Sequence, residues 1–151
     1  PASALGALGV PTLATVLATV GRRPFLDVEL KVDAGPAAVE VLASGRGRDL
    51  TNAVVSSFHP AALERVAHLA PAWPRWLNSD RLDEAVVGAA VELGCRGVAV
   101  AWRALDPGSV RHARAAGLDL VAFTVRRRAT FDRLERLGLV AACVEGPALD
   151  G

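Results

Sequence analysis

The chain has 151 residues, 52% of them hydrophobic and 22% charged, and its mean hydropathy is +0.32. This composition suits a folded domain with a sizeable core and argues against a disordered chain. Because 17 Lys and Arg face 16 Asp and Glu, the net charge is only +1, and no basic field favours binding to nucleic acid. No apolar run reaches the roughly 18 residues of a transmembrane helix. We expect a cytoplasmic protein.

Three residue types are unusual in number. There is no Met, so we expect that Pro1 is not a translation start and that the chain is processed or is part of a longer protein. Lys31 is the only Lys, and a lone ammonium among Arg can mark a position that needs a compact point charge. Cys95 and Cys143 lie in apolar segments without a zinc-binding spacing, so we expect two buried reduced thiols.

Helix and strand patterns alternate along the chain. In order, the sequence predicts helix 13–20, strand 25–32, helix 36–43, strand 53–58, helix 59–69, strand 76–77, helix 82–93, strand 97–102, helix 106–116, strand 118–125, helix 129–137 and strand 139–145. The strand centres lie about 20–26 residues apart, which suits βα units with parallel strands. No dinucleotide fingerprint and no P-loop is present. We therefore predict an α/β fold of the TIM (β/α)₈ type, incomplete here with about six βα units.

The segment FLDVELKV, residues 25–32, alternates strictly between apolar and charged side chains, and its charged face carries Asp27, Glu29 and Lys31. In a barrel this face lines the lumen, where charge is costly unless it is paired or bound to metal. Active sites of barrels lie at the carboxyl ends of the strands, to which Glu29 and Lys31 are closest. We expect Glu29 to be an oxygen ligand of a divalent cation and Lys31 to be a charge partner of phosphate. The alternative is a structural ion pair.

Three further residues follow predicted strands and therefore belong to the same end of a barrel. His59 could face the site, although a His before Pro60 also suits a simple helix entry. Arg126 opens a run of three Arg that could attract an anionic head group or be a solvated charge run. Glu145 ends the last strand and could line the site.

The order of these segments resembles the glycerophosphodiester phosphodiesterase family. The matching segments are VPTLATVL (10–17), FLDVELK (25–31), VVSSFHPAAL (54–63), GVAVAW (97–102), ARAAGLDLVAFTV (113–125) and LGLVAACVEGPALD (137–150). The resemblance implies a TIM barrel of lipid metabolism that hydrolyses glycerophosphodiesters to glycerol 3-phosphate and an alcohol, using Ca²⁺ or Mg²⁺.

The resemblance also implies roles for single residues. Glu29 is similar to the metal-ligand Glu of the family's third strand, and Lys31 is similar to the catalytic Lys at the phosphate. Phe58 is similar to the Phe at the end of the fourth strand and is expected to contact substrate. Phe123 stands where the family usually has Trp, and Arg126 where it usually has Asn, so both are also expected at the substrate.

Other family motifs have no counterpart in the sequence. These are the His-Arg motif of the first strand, the Glu-Asn segment, the acidic ligands of the second strand and the second catalytic His. We therefore expect residues 1–151 to be a single domain spanning the third to the eighth strand and to be inactive alone. Two alternatives stay open. One is a non-catalytic binding or assembly module, in which a second copy or another partner covers the open barrel edges. The other is an unrelated α/β domain that binds a phosphorylated metabolite.

Overall fold

The structure is a computed structural model and describes residue 6, residues 8–33 and residues 35–149. The helices are α1 (Leu13–Val20), α2 (Gly35–Arg46), α3 (Pro60–Leu69), α4 (Glu84–Glu92), α5 (Pro107–Ala115) and α6 (Arg128–Arg136). The strands are β1 (Leu26–Glu29), β2 (Ala53–Ser57), β3 (Arg75–Ser79), β4 (Gly97–Ala101), β5 (Asp119–Val125) and β6 (Ala141–Val144). Short 3₁₀ turns follow β4 and β6, at Trp102–Ala104 and Gly146–Ala148. No described helix is long and apolar enough to cross a bilayer.

All six strands belong to one parallel sheet whose spatial order is the order of the sequence. Each parallel pair requires a crossover, and a helix supplies it in every case. The sheet curls, since the ring of Phe58, directly after β2, lies 5.7 Å from the ring of Phe123 on β5 although two strands separate them. The curled half-barrel of six βα units confirms the predicted fold class.

The two faces of the sheet bury different side chains. The outer face packs against the helices and forms the main core, which includes Val55, Leu77, Val98 and Leu120. The concave inner face carries a smaller cluster of Val54, Trp76, Ala99 and Val121, with Phe123 packed against it. The predicted apolar face of the first strand also packs outward, through Leu26, Val28 and Leu30, whereas Val32 beyond the strand is exposed.

Three predicted boundaries differ from the structure for identifiable reasons. Helix α2 continues through Gly45, where an added Cβ would lie 2.8 Å from Leu17 Cδ1. Gly45 therefore permits close packing of α1 against α2 and does not end the helix. Strand β1 stops at Glu29, so Lys31 lies beyond the ladder. The short predicted strand 76–77 is a fully paired and largely buried strand, Arg75–Ser79.

Two arginines are buried and tie loops to the amino ends of strands. Arg46 is fully buried, and its Nη1 donates to the carbonyl oxygens of Pro24 (2.8 Å) and Arg22 (3.1 Å), in the segment that leads into β1. Arg75 donates through Nη1 to Trp73 O (2.7 Å) and through Nη2 to Gly94 O (3.0 Å), just before β4. The arginine side chains thus supply hydrogen-bond donors to carbonyl oxygens of loop residues, which have no partner in the sheet.

Helix α5 begins at a capping box. Asp106 accepts hydrogen bonds from the backbone N–H groups of Gly108 (2.7 Å) and Ser109 (3.1 Å), and Ser109 Oγ accepts from Asp106 N–H (3.1 Å). These hydrogen bonds lower the pKa of Asp106 below its ordinary value, and the bond from the Ser109 backbone N–H has the largest effect. Pro60 and Pro107 occupy first turns of α3 and α5, as the sequence predicts.

Candidate functional site

The carboxyl ends of the parallel strands meet at one rim of the half-barrel, where barrel enzymes place their active sites. The structure places every site residue predicted from the sequence at or next to this rim. These residues are Glu29, Lys31, Phe58, His59, Phe123, Arg126 and Glu145. All of them except His59 form three separate contacts: an ion pair after β1, an aromatic pair, and an ion pair between the ends of β5 and β6.

The first contact joins Glu29, the last residue of β1, to Lys31. Lys31 Nζ lies 2.7 Å from Glu29 Oε1, and the side chains are 76% and 29% exposed, respectively. A pair of this exposure contributes little to stability. An anion from solvent can reach the exposed ammonium, but Glu29 Oε1 is buried and has no other hydrogen-bond partner among the described residues, so its contact with Lys31 is costly to give up. The pair is therefore compatible with a binding role in which Lys31 keeps its contact with Glu29, as well as with the structural one.

Two buried polar residues, Ser56 and Asn78, lie beside Glu29 on the inner face, where Ser56 is opposite Glu29 in the strand register and the more exposed Asp27 lies two residues earlier on β1. Ser56 Oγ accepts a hydrogen bond from Asn78 Nδ2 (3.3 Å) and bonds to the Asp27 carboxyl. Burial raises the pKa of Asp27, the Ser56 bond opposes this, and the charge of Glu29 adds to the rise. Asn78 Oδ1 and Trp76 Nε1 are buried and have no hydrogen-bond partner in the described ranges. The sequence placed Asp27 in the lumen, but nothing in it singled out Ser56 or Asn78.

The second contact is an edge-to-face pair of Phe58 and Phe123, with ring planes 69° apart. Both side chains keep part of their surface exposed, so they form an apolar wall at the rim. His59 lies next to this wall as the first residue before α3. Its backbone N–H donates to Ser57 Oγ (3.0 Å), and its side chain makes no capping bond. This position matches the simple helix entry, which is the alternative role of His59.

The third contact is an ion pair between Arg126 Nε and Glu145 Oε2, 3.0 Å apart, which joins the ends of β5 and β6. Near it lies Cys143, which is exposed, so the expectation of two buried thiols is wrong for this residue and confirmed for Cys95. Partial burial raises the pKa of the Cys143 thiol, and the carboxylates of Asp27, Glu29 and Glu145 raise it further. The thiol of Cys143 therefore experiences the negative charge of acidic residues on β1 and of the acidic residue that follows β6. The buried-thiol expectation failed because Ala142 and Val144 on either side of Cys143 pack outward against the core, which leaves Cys143 on the opposite, open face of the last described strand.

A divalent cation needs more ligands than this arrangement offers. Ca²⁺ takes about six to eight oxygen ligands, several of them carboxylates, and Mg²⁺ takes about six, usually one or two carboxylates together with water and phosphate oxygens. No three His, Cys, Asp or Glu side chains in the described part of the chain are grouped so that they could hold a metal ion. Glu29 can supply one ligand, but the described residues alone do not fit a bound cation.

Comparison with known proteins identifies the family of this chain. The sequence profile of the glycerophosphoryl diester phosphodiesterase family matches residues 7–149. The chain belongs to this family. The expected family resemblance is thus confirmed over nearly the whole length. No match was found among the curated protein sequences.

Several solved structures share the fold. A phosphodiesterase from Oleispira antarctica, in complex with the product sn-glycerol 3-phosphate, is 27% identical with a TM-score of 0.79, covering 93% of this chain and 62% of that one. Two glycerophosphodiester phosphodiesterases share the fold at 20% identity. The one from Parabacteroides distasonis has a TM-score of 0.76 and covers 89% of this chain and 59% of its own. The one from Agrobacterium tumefaciens has a TM-score of 0.75 and covers 93% of this chain and 60% of its own. The chain therefore spans about three-fifths of the length of these relatives.

Proposed function

We propose that this chain carries the phosphate-binding part of a glycerophosphodiester phosphodiesterase, which hydrolyses glycerophosphodiesters to glycerol 3-phosphate and an alcohol. The observation that carries the proposal is the Glu29–Lys31 pair at the carboxyl end of β1, inside the segment that matches the family. The product bound in the Oleispira antarctica phosphodiesterase supports the same substrate class.

In this proposal different rim residues contact different parts of the substrate. The exposed ammonium of Lys31 binds the phosphoryl oxygens and stabilises the charge that develops on them during hydrolysis. Glu29 would hold one coordination position of a Ca²⁺ or Mg²⁺ ion whose other ligands come from outside the described residues, and such an ion would polarise a phosphoryl oxygen when bound. Phe58 and Phe123 contact the carbon skeleton of the substrate. Arg126 lies where the charged or polar part of the leaving alcohol can reach it.

Binding of glycerol 3-phosphate to the chain tests the role of Lys31. Lys31→Met should weaken binding about tenfold or more, because it removes a charge-assisted contact, while Lys31→Arg keeps the charge and should retain part of the affinity. The matched control is Arg48→Met, which removes one exposed positive charge far from the rim. Equal affinity of Lys31→Met and the wild type, measured by titration calorimetry, would refute the proposal.

We further propose that the isolated chain binds but does not turn over substrate. His68 and His112 lie on helices α3 and α5, so the rim of the described residues offers a single imidazole, that of His59, for proton transfer. Release of glycerol 3-phosphate should stay at background in Ca²⁺, in Mg²⁺ and in EDTA. Release that depends on metal and disappears in Glu29→Gln would overturn the inactivity and support Glu29 as a ligand.

A second candidate is an assembly module on the same scaffold, in which a second copy or another protein covers the open edges. It is favoured by one observation: within the described residues, β1 and β6 each have a strand neighbour on one side only. Light scattering after size exclusion decides between the candidates. A stable, monodisperse monomer that binds glycerol 3-phosphate would exclude self-assembly as the main role.

A further inference from the structure

A cavity of about 310 Å³ opens at the carboxyl ends of β4 and β5, beside the rim described above. Its lining residues are Trp102, Arg103, Thr124, Arg126, Arg127 and Thr130. We call it the arginine cavity. Its volume lies at the lower end of the range of small-molecule sites, about 300–1,000 Å³. Three arginines and two threonines are among its lining residues, and no Asp or Glu is, so its composition suits an anion.

The positive charge of the arginine cavity is only partly compensated. Arg126 pairs with Glu145 at 3.0 Å, but Arg103 and Arg127 form no ion pair with any residue that the structure describes. The guanidinium of Arg103 stacks on the indole of Trp102, 4.4 Å from the ring centroid, which restricts its orientation. Two cationic groups are thus available to a ligand, and one of them is held in place.

Arg126 connects this cavity to the rim. It lines the arginine cavity and also pairs with Glu145, whose charge acts on Cys143 together with the charges of Asp27 and Glu29. Because its lining residues lie at the carboxyl ends of β4 and β5, the cavity belongs to the same rim of the half-barrel as the Glu29–Lys31 pair at the carboxyl end of β1. A diester phosphate carries a single negative charge, for which Lys31 is already a partner. The two guanidinium groups that are unpaired among the described residues, those of Arg103 and Arg127, exceed what that phosphate needs.

We propose that the arginine cavity binds an acidic group on the alcohol part of the substrate, which rests on the proposed function for the position of the diester itself. The preferred ligands are glycerophosphodiesters whose alcohol carries its own phosphate or carboxylate. Guanidinium groups bind such groups through two parallel hydrogen bonds, which adds geometric selection to the charge. Diesters of neutral or cationic alcohols gain nothing from this cavity.

A matched pair of ligands tests the proposal in binding, without requiring turnover. The ligands are glycerophosphoglycerol and the same molecule with a phosphate on its terminal hydroxyl, titrated into the full chain by calorimetry. We expect the phosphorylated ligand to bind about tenfold or more tightly, with a preference that shrinks as NaCl is added. The double variant Arg103→Gln/Arg127→Gln should abolish this preference. Arg48→Gln/Arg136→Gln, which removes the same charge from two exposed positions elsewhere, should retain it.

The outcomes separate this inference from the proposed function. Lys31→Met should weaken both ligands equally and leave their affinity ratio unchanged. If Lys31→Met changes the affinity for neither ligand, the proposed function fails, and the ratio of the two affinities still tests whether the arginine cavity binds an acidic group. The inference is overturned if the wild type binds both ligands with equal affinity, or if the preference survives in Arg103→Gln/Arg127→Gln. It is also overturned if the control double variant loses the preference, since net charge would then explain it.

Discussion

Replacement of Arg46 by Met should lower the free energy of unfolding by about 2–4 kcal/mol. Met keeps most of the buried aliphatic volume and removes the guanidinium. The carbonyl oxygens of Pro24 and Arg22 then lose their Arg46 donor at the entrance to β1. Asn52 Nδ2 still donates to Arg22 O (3.2 Å), so Pro24 O is the carbonyl that loses more of its hydrogen bonding.

Two opposing effects set this magnitude. Each of the two shorter hydrogen bonds has a charged donor and contributes about 1.5–3 kcal/mol, which gives a loss of about 3–6 kcal/mol, and the long contact of Arg46 Nη1 with Asn52 O, at 3.5 Å, adds little. Against this, Met removes a buried charge whose Nε and Nη2 have no hydrogen-bond partner in the described ranges, and the relief recovers about 1–2 kcal/mol. The loss of the hydrogen bonds outweighs this relief because two loop carbonyls depend on them and Met supplies no donor.

Urea unfolding followed by far-ultraviolet circular dichroism measures the difference. The matched control is Arg48→Met, an exposed arginine two positions along, which should change the free energy of unfolding by less than about 0.5 kcal/mol. An Arg46→Met variant as stable as the wild type, or more stable, would refute the reasoning. Desolvation of the guanidinium would then outweigh its hydrogen bonds.

Three further predictions concern two glycines and the side chain that caps helix α5. Gly97→Ala should destabilise by about 1–3 kcal/mol or more, since the new Cβ meets the Asp119 carbonyl oxygen and lies 2.7 Å from Asp119 Cβ on the adjacent strand; an unchanged urea midpoint would contradict this. Gly88→Ala, on exposed α4 surface with nothing within 4 Å, should stabilise by about 0.5–1 kcal/mol, and a lower midpoint would count against it. The pKa of Asp106 is lowered by folding, so its stabilising contribution is present above its ordinary pKa of 3.8 and is lost as pH falls through the lower folded value. Asp106→Ala should therefore lower the melting temperature at pH 7 and lose less stability on acidification than the wild type.

The fold was accessible from the sequence because one signal repeats. Strict alternation in residues 25–32 predicted which face of β1 meets the helices, and the regular spacing of strands predicted parallel βα units. Both follow from local periodicity, which the packing of a half-barrel preserves. Lys31 and Glu29 could be singled out because charge on the inner face of a barrel is unusual.

The rest of the site depends on contacts between distant parts of the chain. Asn78 was missed because its significance comes from Ser56, on a neighbouring strand. Arg46 was missed because an arginine at the end of a helix normally faces solvent, and its burial depends on how the loop before β1 folds over it. The arginine cavity forms from two loops that follow different strands, and a run of three Arg gives no indication of which of them pairs with an acid.

The sequential order of the strands has a consequence for how the sheet opens. Every described strand forms ladder hydrogen bonds only with its neighbours in the sequence, so loss of an outer strand breaks a single ladder and leaves the others intact. Strand β2 is buried throughout, whereas β6 alternates between exposed and half-buried residues. Amide hydrogen exchange should therefore be slowest in β3 and β4 and become faster towards both edges. The strand that carries Glu29 is one of those edges, so a phosphate ligand that binds there should slow exchange most in β1.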